Sequence, residues 1–138
     1  MELRFHIPGM PTAKGRPRAT VRGGHARLYT PAKTVAYEGL VALAGQEAMG
    51  ERDPLDGPLS VEIVATFPIP ASWPKWRRTK AVAGTEYHGS RPDGDNILKA
   101  VGDGLNGVVW RDDSQLAMCG VTKRYGTVAG VAVTVAAL

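Results

Sequence analysis

Arg91-Pro92-Asp93-Gly94-Asp95-Asn96-Ile97-Leu98-Lys99-Ala100-Val101-Gly102-Asp103-Gly104-Leu105-Asn106-Gly107 is the stretch on which both fold and chemistry turn. Ile97, Leu98, Val101 and Leu105 fall within about 100° of arc at helical spacing. That stripe predicts a core-facing helix from Asp95 to about Asn106, stopped by Gly107. The same periodicity sets Asp95, Lys99 and Asp103 on the opposite face, one turn apart. Gly102 and Gly104 each cost about 1 kcal/mol relative to alanine inside a helix, a loss that close backbone packing would explain. Two carboxylates therefore stand one residue apart where the chain enters a helix, with an amide next and a lysine one turn on. A second acidic pair, Asp112-Asp113, follows.

Outward from this stretch, Leu3, Phe5 and Ile7 alternate and predict a strand over Glu2 to Pro8. Pro8, Gly9, Pro11, Gly15, Pro17, Gly23 and Gly24 then predict a long basic loop without regular structure until about Leu28. Thr30 as N-cap and Pro31 at the first helical position open a helix. Its apolar face carries Tyr37, Leu40, Val41, Ala44 and Ala48, and Gly50 ends it. Leu59 to Phe67 reads as a strand with Val61, Ile63, Ala65 and Phe67 on one face. Ser72-Trp73-Pro74 opens a short helix bearing Lys75, Arg77, Arg78 and Lys80, with Trp73 and Trp76 read as apolar anchors rather than base-stacking platforms. Gln115 to Tyr125 and Gly130 to Leu138 are two strands joined through a turn near Gly126, Val131, Val133 and Val135 sharing a face. The sum is one α+β domain over residues 1–138. It has two layers, two main helices lying on a small mixed or largely antiparallel sheet.

At 138 residues the chain is long enough for one core and too short for two. Its apolar runs are far shorter than a membrane span and no signal-peptide region opens it, so no membrane partner is expected and the cytoplasm is the default. His6, His25 and His88 lack ligand spacing, which disfavours zinc. The single Cys119 falls in an expected strand and reads as a buried structural thiol, not a nucleophile.

The net charge of +4 is unevenly spread. Between Leu3 and Tyr37 stand Arg4, Lys14, Arg16, Arg18, Arg22, Arg27 and Lys33 without one acid. Lys75, Arg77, Arg78, Lys80 and Arg91 follow, with Glu86 the lone acid among them. Such runs are often merely solvated faces, and the first also reads as a loop without a partner. Flanking an acidic cluster, they point instead to a polyanion gripped by basic arms. Lys14, Arg16, Arg18, Arg22, Lys75, Arg77, Arg78 and Arg91 are the candidate DNA-binding residues.

Taken singly, Asp93 or Asp95 reads as a helix cap, Lys99 as the i,i+4 partner of Asp95, and Asp112-Asp113 as a turn. Taken together they suit phosphodiester hydrolysis, in which Mg²⁺ needs two or three converging carboxylates and a nearby ammonium group offsets developing charge. Other motifs fail. A calcium loop starting at Asp93 would need an oxygen ligand at Ile97 and glycine at Leu98. No phosphate-binding Gly-Lys-Ser/Thr occurs. A restriction-type nuclease core wants its acid-x-lysine on a strand.

Arg91 to Lys99, then Asp103-Gly104-Leu105-Asn106, then Val109-Trp110-Arg111-Asp112-Asp113-Ser114-Gln115, resembles the signature of the RusA family of Holliday-junction resolvases. Lys14-Gly15-Arg16-Pro17-Arg18, Tyr29-Thr30-Pro31 and the basic segment from Ser72 to His88 are similar to phage and prophage members, so the resemblance covers nearly the whole chain. Gly94 departs from members with an apolar residue there. The resemblance implies a homodimeric endonuclease that resolves four-way DNA junctions by paired symmetrical nicks. It implies Mg²⁺, with Mn²⁺ as a substitute, and no small-molecule cofactor. Asp93, Asp95 and Asp113 match the family's metal-binding acids and Lys99 its catalytic lysine, while Asp112 would serve behind them. A junction-binding module that has lost catalysis and a less structure-selective nuclease remain as alternatives.

Overall fold

The computed structural model describes residues 1–138. Four strands make the main sheet: β1 (Glu2–Pro8), β4 (Leu59–Pro68), β5 (Leu116–Gly126) and β6 (Gly130–Ala137). Their order is β1-β6-β4-β5, with β6 antiparallel to both its neighbours and β4 parallel to β5. The sheet is mixed and the domain α+β, as the alternating runs predict. β5 and β6 are consecutive in sequence yet not neighbours, because β4 lies between them.

Three helices accompany the sheet, α1 (Ala32–Met49), α2 (Lys75–Val82) and α3 (Gly94–Leu105). The α1 start falls one residue later than expected, with Pro31 in the capping position and no side-chain cap. Its buried stripe is Thr34, Tyr37, Val41, Gly45 and Met49, so Leu40, Ala44 and Ala48 are only partly covered. The rotation follows from glycine. A Cβ on Gly45 would lie 2.6 Å from Leu105 Cδ2, and one on Gly104 2.8 Å from Val41 and 3.0 Å from the Glu38 carbonyl. The two helices cross where each lacks a side chain, the close approach anticipated for Gly104. Gly102 has no such neighbour.

Ile97, Val101 and Leu105 are fully buried against Val109, Trp110 and the β4 and β6 valines, and Leu98 partly so. Each such side chain contributes about 1.5–3 kcal/mol relative to exposure. Gly50 and Gly107, at φ 61° and 78°, close α1 and α3 as expected.

The basic segment after Pro17 is not a loop. Arg18–Arg22 (β2) and His25–Tyr29 (β3) pair as an antiparallel hairpin around Gly23-Gly24, whose φ values of 58° and 80° suit a tight two-residue turn. All ten strand residues are exposed, so no burial alternation marked them in the sequence. Cys119 also departs from expectation. It lies on β5 as predicted but is exposed, on an edge strand whose residues Ala117 to Cys119 are all exposed.

Candidate active site

A loop fixed from several sides delivers Asp93 and Asp95. Lys123 on β5 donates from Nζ to the carbonyls of Ser90 (2.7 Å) and Pro92 (3.0 Å). The backbone N–H of Lys14 donates to the Asn96 carbonyl, and that of Gly15 to Thr34 Oγ1, tying the N-terminal segment to α3 and α1. Asp93 occupies the capping position of α3, yet its side chain makes no capping bond. Asp95 lies in the first turn. Both are exposed, neither is in an ion pair, and Lys99 forms no salt bridge with Asp95. The everyday roles open to these three residues are thus unused. The positive end of the helix dipole favours anionic oxygens at this point. Gly94 costs the loop little, since a Cβ there would meet Val121 at an ordinary 3.7 Å.

The second acidic pair divides its labour. Asp112 accepts a hydrogen bond from the Ser114 N–H at 3.2 Å and caps a single 3₁₀ turn, Asp113–Gln115. Hydrogen bonding from Ser114, its side chain first and then its N–H, holds the Asp112 carboxyl below its ordinary pKa. Gln115 Oε1 accepts from the N–H groups of Arg111 and Asp112, while its amide donates to the carbonyls of Leu55 and Gly57. Asp113 projects from this fixed turn, exposed and without an ion pair.

One chain does not bring Asp113 to Asp93 and Asp95. No group of three acidic, histidine or cysteine side chains converges anywhere in it. Gly94 lies beside Val121, halfway along β5, whereas Asp113 precedes Leu116 at the start of that strand. The strand from Leu116 to Val121 alone spans about 16 Å at roughly 3.3 Å per residue.

The cations also separate. Lys14 is half-buried and paired with Glu38 and, at 3.1 Å, with Asp103. The Glu38 hydrogen bond foremost raises its pKa, and the residue works as an internal tie. Arg77 lies 3.5 Å over the Trp73 ring and pairs with Glu86 at 2.7 Å. Arg16, Arg18, Arg22, Lys75, Arg78 and Arg91 are exposed and make no ion pair. Trp73 is the expected anchor, set edge-on against Tyr125, but Trp76 is 65 % exposed on the basic helix α2. Lys123 was not legible as a positioning residue, because the loop it holds is some thirty residues away in sequence.

A mixed-sheet α+β domain with free carboxylates at a helix entrance, bordered by unpaired arginines, is built like a nuclease. The sequence pattern of the family Endodeoxyribonuclease RusA matches residues 8–136, and the chain belongs to that family. Membership makes it a hydrolase of the nuclease class. A Bacillus subtilis (strain 168) protein called "Uncharacterized protein YqaN" is 34 % identical over 125 residues, 89 % of this chain and 87 % of that protein. No helix is long and apolar enough to cross a membrane.

Proposed function

We propose that this chain is a divalent-metal-dependent endonuclease that resolves four-way DNA junctions by paired cuts, acting as a homodimer. The observation that carries it is the pair Asp93 and Asp95, free of cap bonds and ion pairs at the α3 entrance, beside a cleft rimmed by arginine. Their donor chemistry fits Mg²⁺ or Mn²⁺: hard carboxylate oxygens, exposed and uncommitted. Asp93 and Asp95 would hold the ion together with Asp113 of a second copy. The ion, when bound, supplies charge neutralisation at the phosphate and a more acidic water. Lys99, one turn beyond Asp95, carries positive charge toward the phosphate, and Arg91 grips the strand beside it. Lys123 keeps the Pro92 carbonyl, and so Asp93, in place.

An open sheet edge supports the second copy. The outer edge of β5 is bridged only near Arg124, by Tyr87, leaving Leu116 to Thr122 unpaired. That stretch carries no charged side chain and exposes Met118, although charge is a common guard on exposed edges. Antiparallel pairing of two β5 strands about a two-fold axis near Met118 would bring the start of one strand, which Asp113 precedes, toward the Lys123 end of the other. Asp113 then arrives beside the loop that Lys123 holds. Paired cutting has the same symmetry.

Incubation with Mg²⁺ and a synthetic four-way junction tests the activity. Two symmetrical nicks are expected. Tight binding without cutting across metal and pH would favour the inert binding module, and equal cutting of linear duplex the unselective nuclease. Mixing separately inactive Asp93→Asn and Asp113→Asn chains tests the shared site. Mixed dimers should regain one intact site and nick a single strand, whereas sites contained within one chain would stay dead. Binding should weaken steeply with salt, and Arg18→Ala with Arg22→Ala should lower the log–log salt slope by about 2 if both reach phosphates.

A further inference from the structure

We infer that the cleft between the N-terminal segment and the far ends of β4 and β5 receives an unstacked nucleobase from the DNA strand being cut, an inference that rests on the nuclease reading above. The cleft has a volume of about 880 Å³, within the range of ligand sites and ample for a base with its sugar. Its lining includes Arg16, Arg18, Lys33 and Arg91 and not one acid. Its apolar wall is aromatic, formed by Phe67, Trp73, His88 and Tyr125. Cations and aromatic side chains lining one cleft is a pairing that grips single-stranded nucleic acid, through phosphate and base respectively.

Two further observations separate this cleft from a generic groove. Arg91 and Pro92 line it and also line the adjoining smaller cleft that contains Asp93. A nucleotide seated here is therefore a close neighbour of any phosphate at the acidic pair. His88 is also built as a reader. Only 9 % exposed, it stacks on Phe67 with centroids 3.8 Å apart and planes 13° from parallel. Its Nδ1 is buried without a hydrogen-bond partner, and Nε2 has only a long 3.4 Å contact with Ser90 Oγ. Burial first, then the Lys123 charge, hold its pKa below the ordinary 6.5. A neutral imidazole offers one donor and one acceptor, complementary to a base edge and able to prefer some bases over others.

The experiment is an abasic scan of a four-way junction, removing one base at a time around the cut position. Binding is measured in Ca²⁺ with full-length protein, wild type and His88→Ala. Base stacking on an aromatic contributes about 1–3 kcal/mol, or roughly 5- to 150-fold in affinity. One abasic position should weaken wild-type binding at least about fivefold, and His88→Ala should bind intact and abasic junctions equally. His88→Phe, which keeps a stackable ring, should retain affinity but lose preference among bases at that position. A flat scan with wild-type protein overturns the inference even if His88→Ala fails to fold. A scan in which His88→Ala retains the full wild-type discrimination overturns it as well. Normal junction cutting with a flat scan defeats the cleft alone, whereas absent junction binding and cutting defeats the nuclease reading and this inference with it.

Discussion

Asp93-Gly94-Asp95 and Asp112-Asp113 look alike in the sequence and are handled oppositely by the fold. At the first, the helix begins without using either carboxylate, and a lysine from β5 fixes the loop through its carbonyls instead. At the second, Asp112 and Gln115 form a capping box that consumes one acid and frees only its neighbour. An acid that completes a local hydrogen-bond pattern has one set of oxygens fewer to offer a ligand. The pair with no local duty is the better place to seek chemistry, and Asp113 rather than Asp112 is its counterpart.

The largest effect should come from Asp93→Asn. Cutting should fall by at least about a hundredfold, the upper end of what disturbing even a metal ligand's outer contacts costs. Junction binding, measured by gel shift, should stay within about threefold. Cutting at the wild-type rate would remove the distinction between the two pairs. Lys99→Met should come next, lowering single-turnover cutting about tenfold or more with binding little changed. An unchanged rate would return Lys99 to the solvated face of α3.

Asp112→Ala should do least to the reaction, slowing cutting no more than about fivefold while lowering the melting temperature modestly through the lost cap. Its pH dependence is signed. The Ser114 hydrogen bonds lower the folded pKa of Asp112 from 3.8, so its stabilisation is complete above that value and vanishes as pH falls through the lowered one. The melting difference from wild type should therefore be full at pH 7 and shrink as pH falls below 3.8. A loss of cutting as deep as that of Asp93→Asn would make Asp112 a ligand after all.

Much of the fold was legible because burial writes a period into the chain. The α3 stripe and the alternation in β4 and β6 each gave an element close to its observed bounds. The β2–β3 hairpin left no such trace, since none of its side chains is buried, and Gly23-Gly24 was its one local signal. Cys119 was misplaced because propensity reveals a strand but not its position in the sheet. In the site, residue types were readable and distances were not. From Asp95 the helix carries the chain about 15 Å to Leu105 before β5 begins, so short separation in sequence becomes long separation in space. The Lys14 ion pairs were equally hidden, as Glu38 and Asp103 are distant in sequence.

The absent side chains at Gly45 and Gly104 have a mechanical meaning. They let α1 seat closely on α3, Gly45 against the Leu105 and Val109 side chains and Gly104 against Val41 and the Glu38 carbonyl, so the tilt of α3 is set by tight contact at this crossing. A single methyl group there would act as a shim under one end of a lever whose other end holds the acidic pair. The position of Asp93 and Asp95 is thus adjustable from more than a helical turn away, by residues buried between the two helices.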